Sequence, residues 1–284
     1  MPTISVNGVT LHYLQMGSGP DLVMLHGLSG NLAVWHLRMV PLLQEHFRVT
    51  TYDLRGHGNS SMPPSGYTTR SMANDLRALL DELGIAQADI VGHSFGADIA
   101  LHFALIHPER ARKLALIEPG IPALMQDRKH VDWEGWKYWA EILENLTGVP
   151  VPVERRNDVA YMVRRSFEVP VVYGPLKGLP RRKDRVLKLL DTTTMTTDYE
   201  VVDELTLPNI ATIPHSKLLL YDGASAWLSS FRVLKDLLQN CESVVLPGSE
   251  LRHFAPLEAP EILVERLMQF LDVPVIAEPA AKAL

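Results

Sequence analysis

Short apolar runs and stretches with helical spacing alternate along most of this chain. Six runs have the length and composition of buried strands: 21–25, 48–53, 88–91, 113–117, 217–221 and 243–246. Five stretches carry apolar residues at helical spacing: 35–46, 71–83, 97–106, 227–239 and 260–271. Strands that alternate with helices indicate an α/β fold, in which helices cover both faces of a mostly parallel sheet.

The beginning of the chain has a different pattern. Residues 3–6 and 9–16 have strand character and flank Asn7-Gly8, a dipeptide that favours a tight hairpin turn. We therefore expect an antiparallel ribbon at the start of the sheet.

The alternation stops between residues 121 and 205, where prolines are scattered and no strand-loop-helix unit recurs. We predict that this segment is an inserted, mainly helical cap, or lid. The core would then consist of residues 1–120 and 206–272, and residues 273–284 would form a C-terminal tail.

Composition narrows the class of protein. A chain of 284 residues that is 46% hydrophobic can bury one large core, and a net charge of -6 argues against a nucleic-acid-binding surface. Cys241 is the single cysteine, so no internal disulfide can form and no zinc-binding spacing is present. No apolar run approaches the roughly 18 residues of a membrane span, and no signal-peptide pattern opens the sequence. We expect a cytoplasmic protein without a membrane span.

The strongest chemical signal is Gly92-His93-Ser94-Phe95-Gly96, a G-x-S-x-G placed between a predicted strand and a predicted helix. The two glycines allow a sharp turn that presents Ser94 at the end of the strand. A serine hydroxyl is a weak nucleophile by itself, so this arrangement predicts a histidine base and a carboxylate that orients it.

Four motifs in this order resemble the α/β-hydrolase family along nearly the whole chain. They are His26-Gly27, the loop of residues 53–60, the G-x-S-x-G, and the stretch from His253 to Pro260. The resemblance implies that Ser94 is the nucleophile and His253 the base, with no metal or organic cofactor. Serine at this position also disfavours the related dehalogenases and epoxide hydrolases, which attack through a carboxylate.

The acid of the triad departs from the usual family pattern. Most members carry it after the strand that is here 217–221, about three residues beyond a glycine, but Ala226 occupies that position after Gly223. Some dehalogenases and some lactonases that cleave resorcylic macrolactones place the acid one strand earlier, where this chain has Glu118. We therefore predict Glu118 as the acid and keep Asp222 as the alternative.

The resemblance also implies an oxyanion hole made by the backbone N–H groups of Leu28 and Phe95. Aromatic residues suggest the substrate pocket. These candidates are His93, Trp133, Trp136, Trp139 and Trp227.

These features together predict a serine hydrolase of a small, hydrophobic carboxylic ester or lactone that acts through an acyl-enzyme. Hydrolysis of a carbon–carbon bond in a vinylogous diketone, thioester hydrolysis and acyl transfer remain open, because the same three residues can serve them. A ligand receptor that has lost turnover is the alternative outside enzymes, and alanine at the usual acid position is the feature that favours it. The sequence does not predict an oligomeric state.

Overall fold

The computed structural model describes residues 2–170, 183–249 and 252–272. The predicted tail, 273–284, lies outside the described residues. Within them the strands β1 to β8 span, in chain order, Thr3–Val6, Val9–Met16, Asp21–Leu25, Arg48–Tyr52, Ala88–His93, Ala111–Ile117, Ser216–Asp222 and Cys241–Leu246.

The helices are numbered in chain order over the same described residues. Helices α1 to α6 span Ala33–His36, Val40–Leu43, Thr69–Glu82, Phe95–Ile106, Glu134–Thr147 and Val159–Ser166. Helices α7 to α12 span Asp184–Thr192, Met195–Asp198, Leu207–Ala211, Leu228–Leu237, Ala255–Glu258 and Pro260–Phe270. Short 3-10 helices occur at Pro108–Arg110, Pro122–Lys129 and Val153–Arg155. No helix in this part of the chain combines the length and hydrophobicity needed to cross a bilayer.

The eight strands form one sheet in the order β1-β2-β4-β3-β5-β6-β7-β8. β1 pairs antiparallel with β2, and β2 pairs antiparallel with β4, while every later pair is parallel. The predicted hairpin and the mostly parallel sheet are both confirmed. Since β5, β6 and β7 are neighbours and parallel, the residues that follow them emerge at the same edge of the sheet.

Alternate residues of the central strands face two separate cores. In β3, Val23 and Leu25 join the larger core with residues of α3 and α4, whereas Leu22 and Met24 join the smaller core with residues of α1, α2 and α12. The period-two alternation of a strand that is buried on both faces produces this division. The central strands are therefore packed against apolar side chains on both faces of the sheet.

One predicted helix is wrong in extent. The stretch 35–46 forms the two short helices α1 and α2 instead of one, and Pro41 lies in the first turn of α2. Proline has no N–H to bond the preceding turn and its ring clashes with that turn, so the helix is interrupted before it.

The segment predicted as a cap contains α5 to α8 and two of the 3-10 helices, and no strand among its described residues. It has a small core of its own, formed by Ala140, Leu143, Val151, Met162 and Val169. The domain division remains a prediction, and residues 171–182 of this segment lie outside the described residues.

Candidate active site

Ser94 sits on a strained turn between β5 and α4. Its backbone has φ 53° and ψ -122°, a conformation that costs free energy for a residue with a Cβ. The turn is held because Ser94 N donates to Ile117 O at 2.8 Å. This conformation separates the serine from the helix and leaves its hydroxyl at the sheet edge.

The two glycines of the motif are required by close packing of the backbone. A Cβ at Gly92 would lie 2.4 Å from the carbonyl oxygen of Gly96, and one at Gly96 would lie 2.3 Å from the carbonyl oxygen of Leu25. Distances below 3 Å are not tolerated between a Cβ and backbone atoms. The sequence signal therefore has a direct steric cause.

The candidate oxyanion hole lies between two loops. A Cβ on Gly27 would be 3.1 Å from the Ser94 Cβ, which places the loop that carries Leu28 directly against the serine. Phe95 is the first residue of α4, so its N–H belongs to the helix turn that lacks internal acceptors. Its side chain is fully buried, with its ring centroid 5.2 Å from that of Tyr199. The amide of Phe95 thus lies at a helix N-terminus, where negative charge would be stabilised.

His253 connects the serine to a carboxylate. Its Nε2 lies 3.1 Å from Ser94 Oγ, and its Nδ1 lies 3.2 Å from Glu118 Oε2. In this arrangement Nδ1 donates to the carboxylate, and Nε2 can accept the serine proton. The geometry matches the hydrogen-bonded chain of serine, imidazole and carboxylate that activates a serine nucleophile in serine hydrolases.

Glu118 follows β6 and is fully buried. Besides the contact with His253, its Oε1 accepts from Asp222 N at 2.5 Å and its Oε2 accepts from Ser225 Oγ at 2.6 Å. Burial raises the pKa of Glu118 to about 8, and the neighbouring charge of Asp222 acts in the same direction, while the two hydrogen bonds oppose them. The backbone of Glu118 has φ 54°, a second strained residue at this edge.

Asp222, the alternative acid, has different partners. Its Oδ1 accepts from Ala224 N at 2.7 Å, and its Oδ2 accepts from Ser249 N at 2.9 Å and from the Ser249 hydroxyl. These contacts tie the ends of β7 and β8 together. The side chain of Asp222 therefore stabilises the loops that follow β7 and β8, while its backbone N–H donates a hydrogen bond to Glu118.

His93, predicted to line the pocket, also supports the base. Its Nε2 donates to the carbonyl oxygen of His253 at 2.7 Å, so this nitrogen carries a proton. Burial, followed by the proximity of His253, lowers the pKa of His93 to about 3, and the ring is accordingly neutral at physiological pH. A neutral donor in this place fixes the backbone of His253 without adding charge.

Two other histidines of the family motifs have structural contacts. His26 Nδ1 donates to Gly27 O at 2.8 Å, and its Nε2 accepts from Leu54 N at 3.1 Å. His57 Nδ1 donates to Arg55 O at 2.9 Å. These bonds shape the loops after β3 and β4 beside the nucleophile.

A row of aromatic rings extends from the base into the predicted cap. Trp227 stacks on His253 with ring centroids 4.5 Å apart, and Trp133 meets Trp227 edge-on at 5.7 Å. Trp136 lies 5.3 Å from Trp133, and Trp139 lies 6.0 Å from Trp136. Trp133 precedes α5 instead of lying within it, because α5 begins at Glu134.

The rings form one wall of a cavity of about 430 Å³ above Ser94. All five predicted pocket residues line it. The lining also contains the aliphatic residues Leu28, Val34, Leu37, Leu143, Leu146, Val159 and Val163. No Asp, Glu, Lys or Arg is among the lining residues in the described ranges. A volume of this size accommodates a small organic molecule with a mainly apolar surface.

Sequence reasoning missed several residues that hold Glu118. Asp98 Oδ1 accepts from the N–H groups of Gly120 and Ile121 at 2.8 and 2.9 Å, and Tyr221 Oη donates to Pro119 O at 2.6 Å. The position of Asp98, four residues after the nucleophile, was the available signal. The roles of Tyr221 and Ser225 depend on strand pairing and carry no local pattern.

The described residues contain no group of three or more His, Cys, Asp or Glu side chains arranged to hold a metal ion. Cys241 is a half-buried thiol at the start of β8.

Comparison with known proteins agrees with this architecture. Residues 20–149 match the family model described as the alpha/beta hydrolase fold. Together with the observed sheet and the serine turn, this match shows that the chain has the α/β-hydrolase fold. The resemblance drawn from the motifs is confirmed.

Among curated relatives, epoxide hydrolase 2 of Siraitia grosvenorii is 40% identical over 114 residues, which are 39% of this chain and 36% of that protein. The chain thus spans little more than a third of that relative's length. The solved structure of Est816, described as an N-acyl homoserine lactone degrading enzyme, has TM-score 0.67 and 23% identity and covers 95% of this chain and 100% of that one. The enol-lactonase of Burkholderia xenovorans LB400 has TM-score 0.65 and 23% identity over 95% of this chain and 100% of its own. The likeness to both structures concerns the fold.

Proposed function

We propose that this protein is a serine hydrolase of small, hydrophobic carboxylic esters or lactones. The observation that carries the proposal is the continuous chain from Ser94 Oγ through His253 to the buried Glu118, at the floor of an apolar cavity. Ser94 is the nucleophile, His253 the general base and Glu118 the acid.

The reaction begins when Ser94 Oγ attacks the substrate carbonyl carbon and its proton passes to His253 Nε2. Glu118 holds the Nδ1 proton and stabilises the positive charge that develops on the imidazole. The carbonyl oxygen becomes an oxyanion, which the N–H groups of Leu28 and Phe95 would bind.

Collapse of the tetrahedral intermediate breaks the bond to the alcohol oxygen, and His253 Nε2 returns its proton to that oxygen. In a lactone the alcohol remains attached to the acyl part of the substrate. Water then attacks the acyl-enzyme and passes a proton to His253. The second tetrahedral intermediate collapses, the bond from the acyl carbon to Ser94 Oγ breaks, and His253 returns the proton to Ser94 Oγ as the acid product leaves.

Serine at the turn argues against carboxylate-dependent chemistry at this site, although an epoxide hydrolase is among the relatives of the chain. A likeness that extends over 39% of the chain does not determine the reaction. The contact between Glu118 and His253 also argues against the receptor alternative, since it supplies the acid that Ala226 does not.

The lining of the cavity supports a neutral, apolar substrate over a charged one. Tryptophan and aliphatic side chains surround the space, and His93 next to the nucleophile is uncharged. A charged group placed here would lose its hydration without a partner of opposite charge among the described lining residues.

The proposal is tested by a fluorophosphonate probe together with a substrate panel. We expect one adduct on the wild-type protein, located on Ser94 by peptide mass mapping, and no adduct on Ser94→Ala. The panel would contain p-nitrophenyl butyrate, an aliphatic lactone, a butyryl thioester and a vinylogous diketone. Hydrolysis of the ester or lactone supports the proposal. Turnover restricted to the diketone or the thioester would show that the protein belongs to a different reaction class. A wild-type protein that neither reacts with the probe nor turns over any member would overturn it.

A further inference from the structure

The loop between β7 and α10 contains a buried hydroxyl that touches the acid of the proposed triad. Ser225 is 5% exposed, and its Oγ donates to Glu118 Oε2 at 2.6 Å. The same carboxylate oxygen accepts from His253 Nδ1. Ser225 is therefore one hydrogen bond away from the base.

Ser225 Oγ takes part in a second hydrogen bond, which it accepts from Trp227 N at 3.0 Å. An ionised carboxylate can only accept, so Ser225 is the donor in its bond to ionised Glu118. The bond is made best when Glu118 is ionised, because a carboxylate accepts more strongly than a neutral acid.

The same short loop also supports the ring of the base. Two residues after Ser225, Trp227 stacks on His253 with centroids 4.5 Å apart. The backbone turn is closed by Ser225 N, which donates to Asp222 O at 3.0 Å. One loop thus fixes the carboxylate through a hydroxyl and the imidazole through an aromatic face.

We propose that Ser225 is a positioning residue that favours the ionised form of Glu118 and aims it at His253 Nδ1. This inference rests on the proposed function. Ser225 immediately precedes Ala226, the position at which most family members carry the acid. In this chain the loop that would have supplied the carboxylate supplies a hydrogen-bond donor to a carboxylate on the neighbouring strand.

The consequence for catalysis follows from the tautomer of His253. If Glu118 is protonated, it donates to Nδ1, and the imidazole proton moves to Nε2, where it blocks acceptance of the Ser94 proton. Loss of the Ser225 bond should therefore raise the pH below which activity is lost.

Other groups around Glu118 influence the same titration. Asp222 lies at the end of β7, His253 precedes α11, His93 ends β5, and Asp98 on α4 holds the backbone after Glu118 through Gly120 and Ile121. The negative charge of Asp222 opposes ionisation of Glu118, whereas the hydrogen bond from Ser225 favours it. Removal of the hydroxyl leaves the opposing influences in place.

The test is the pH profile of kcat/KM for p-nitrophenyl butyrate in Ser225→Ala, Ser225→Thr and wild type. For Ser225→Ala we expect the acid limb of the profile, the pH range in which kcat/KM falls as pH is lowered, to move upward by about one pH unit. At pH 7, kcat/KM should then fall by roughly tenfold or more. Much of this loss should be recovered at pH values above the shifted limb. Ser225→Thr keeps a hydroxyl and should restore the limb. Ser229→Ala, an exposed serine in the adjoining helix, is the matched control and should leave the profile unchanged.

The outcomes separate this inference from the proposed function. An active wild type and a Ser225→Ala variant whose activity falls equally at all pH values would overturn the inference and leave the triad intact. A wild type without turnover or probe labelling would overturn the proposed function itself. If Ser225→Ala does not fold, Ser225→Cys provides a weaker donor, and its limb should lie above that of wild type; an unmoved limb there also overturns the inference.

Discussion

Two carboxylates at the ends of neighbouring strands have different hydrogen-bond partners. Glu118 follows β6 and Asp222 ends β7, both are buried, and they are linked by a hydrogen bond from Asp222 N to Glu118 Oε1. Glu118 meets the imidazole, whereas Asp222 accepts hydrogen bonds from Ala224 and Ser249. The difference teaches that burial and position at this edge of the sheet do not decide which carboxylate meets His253; the hydrogen-bond partners of each carboxylate do.

The largest expected effect comes from removal of the charge on Glu118. Glu118→Gln should lower kcat by about 10³- to 10⁴-fold, because an amide does not stabilise the imidazolium and permits the wrong tautomer of His253. The measurement is the steady-state hydrolysis of p-nitrophenyl butyrate at pH 8.5.

Asp222→Asn is the matched control for that change, and its kcat should remain within about tenfold of wild type, since its backbone N–H still reaches Glu118. Equal losses in the two variants would contradict the assignment of Glu118 as the acid.

The second expected effect concerns how the free energy of unfolding depends on pH in wild type and in Glu118→Gln. Burial raises the pKa of Glu118 from 4.5 to about 8, so between these pH values the folded state holds a proton that the unfolded state releases. Wild-type stability should therefore decline as pH rises through this window. Glu118→Gln lacks this titration, so its free energy of unfolding should exceed that of wild type by about 3–5 kcal/mol at pH 9, with little difference near pH 4. Urea unfolding at the two pH values measures it, and a Gln variant that is less stable at pH 9 would contradict the raised pKa.

Asp222→Asn should destabilise the fold instead. The amide nitrogen of asparagine cannot accept the Ser249 N–H and hydroxyl bonds that the carboxylate accepts, so we expect a loss of about 1–2 kcal/mol. Urea unfolding at pH 7 measures this loss, and Asp222→Ala, which removes both acceptors, should cost more. A stability equal to wild type would show that the loop contacts contribute nothing.

The smallest expected effect is the influence of the Asp222 charge on the pKa of Glu118. The charge on Asp222 raises the pKa of Glu118, so its removal should shift the acid limb of kcat/KM downward by a few tenths of a pH unit. This is opposite in direction to the shift expected for Ser225→Ala. A limb that moves upward in Asp222→Asn would mean that the carboxylate stabilises the ionised Glu118.

Much of the fold was predictable because it depends on local pattern. The alternation of apolar runs with helical spacing predicted the parallel sheet, and Asn7-Gly8 predicted the antiparallel hairpin. The extent of the helix predicted at 35–46 was wrong because apolar spacing continued past Pro41, whose effect on the backbone outweighs that spacing.

By itself the sequence determined the α/β-hydrolase fold, the turn that presents Ser94 and the short set of candidate acids, since glycine spacing and strand patterns are local properties. Only the tertiary structure decided which carboxylate meets His253, because β6 and β7 become neighbours through pairing of residues separated by about a hundred positions. The tertiary structure also determined that the tryptophan rings form one wall of the cavity and that the Ser225 hydroxyl is buried. Both features occur where the predicted cap meets the loops at the strand ends. Such contacts depend on side-chain directions within fractions of an ångström, which no local pattern specifies.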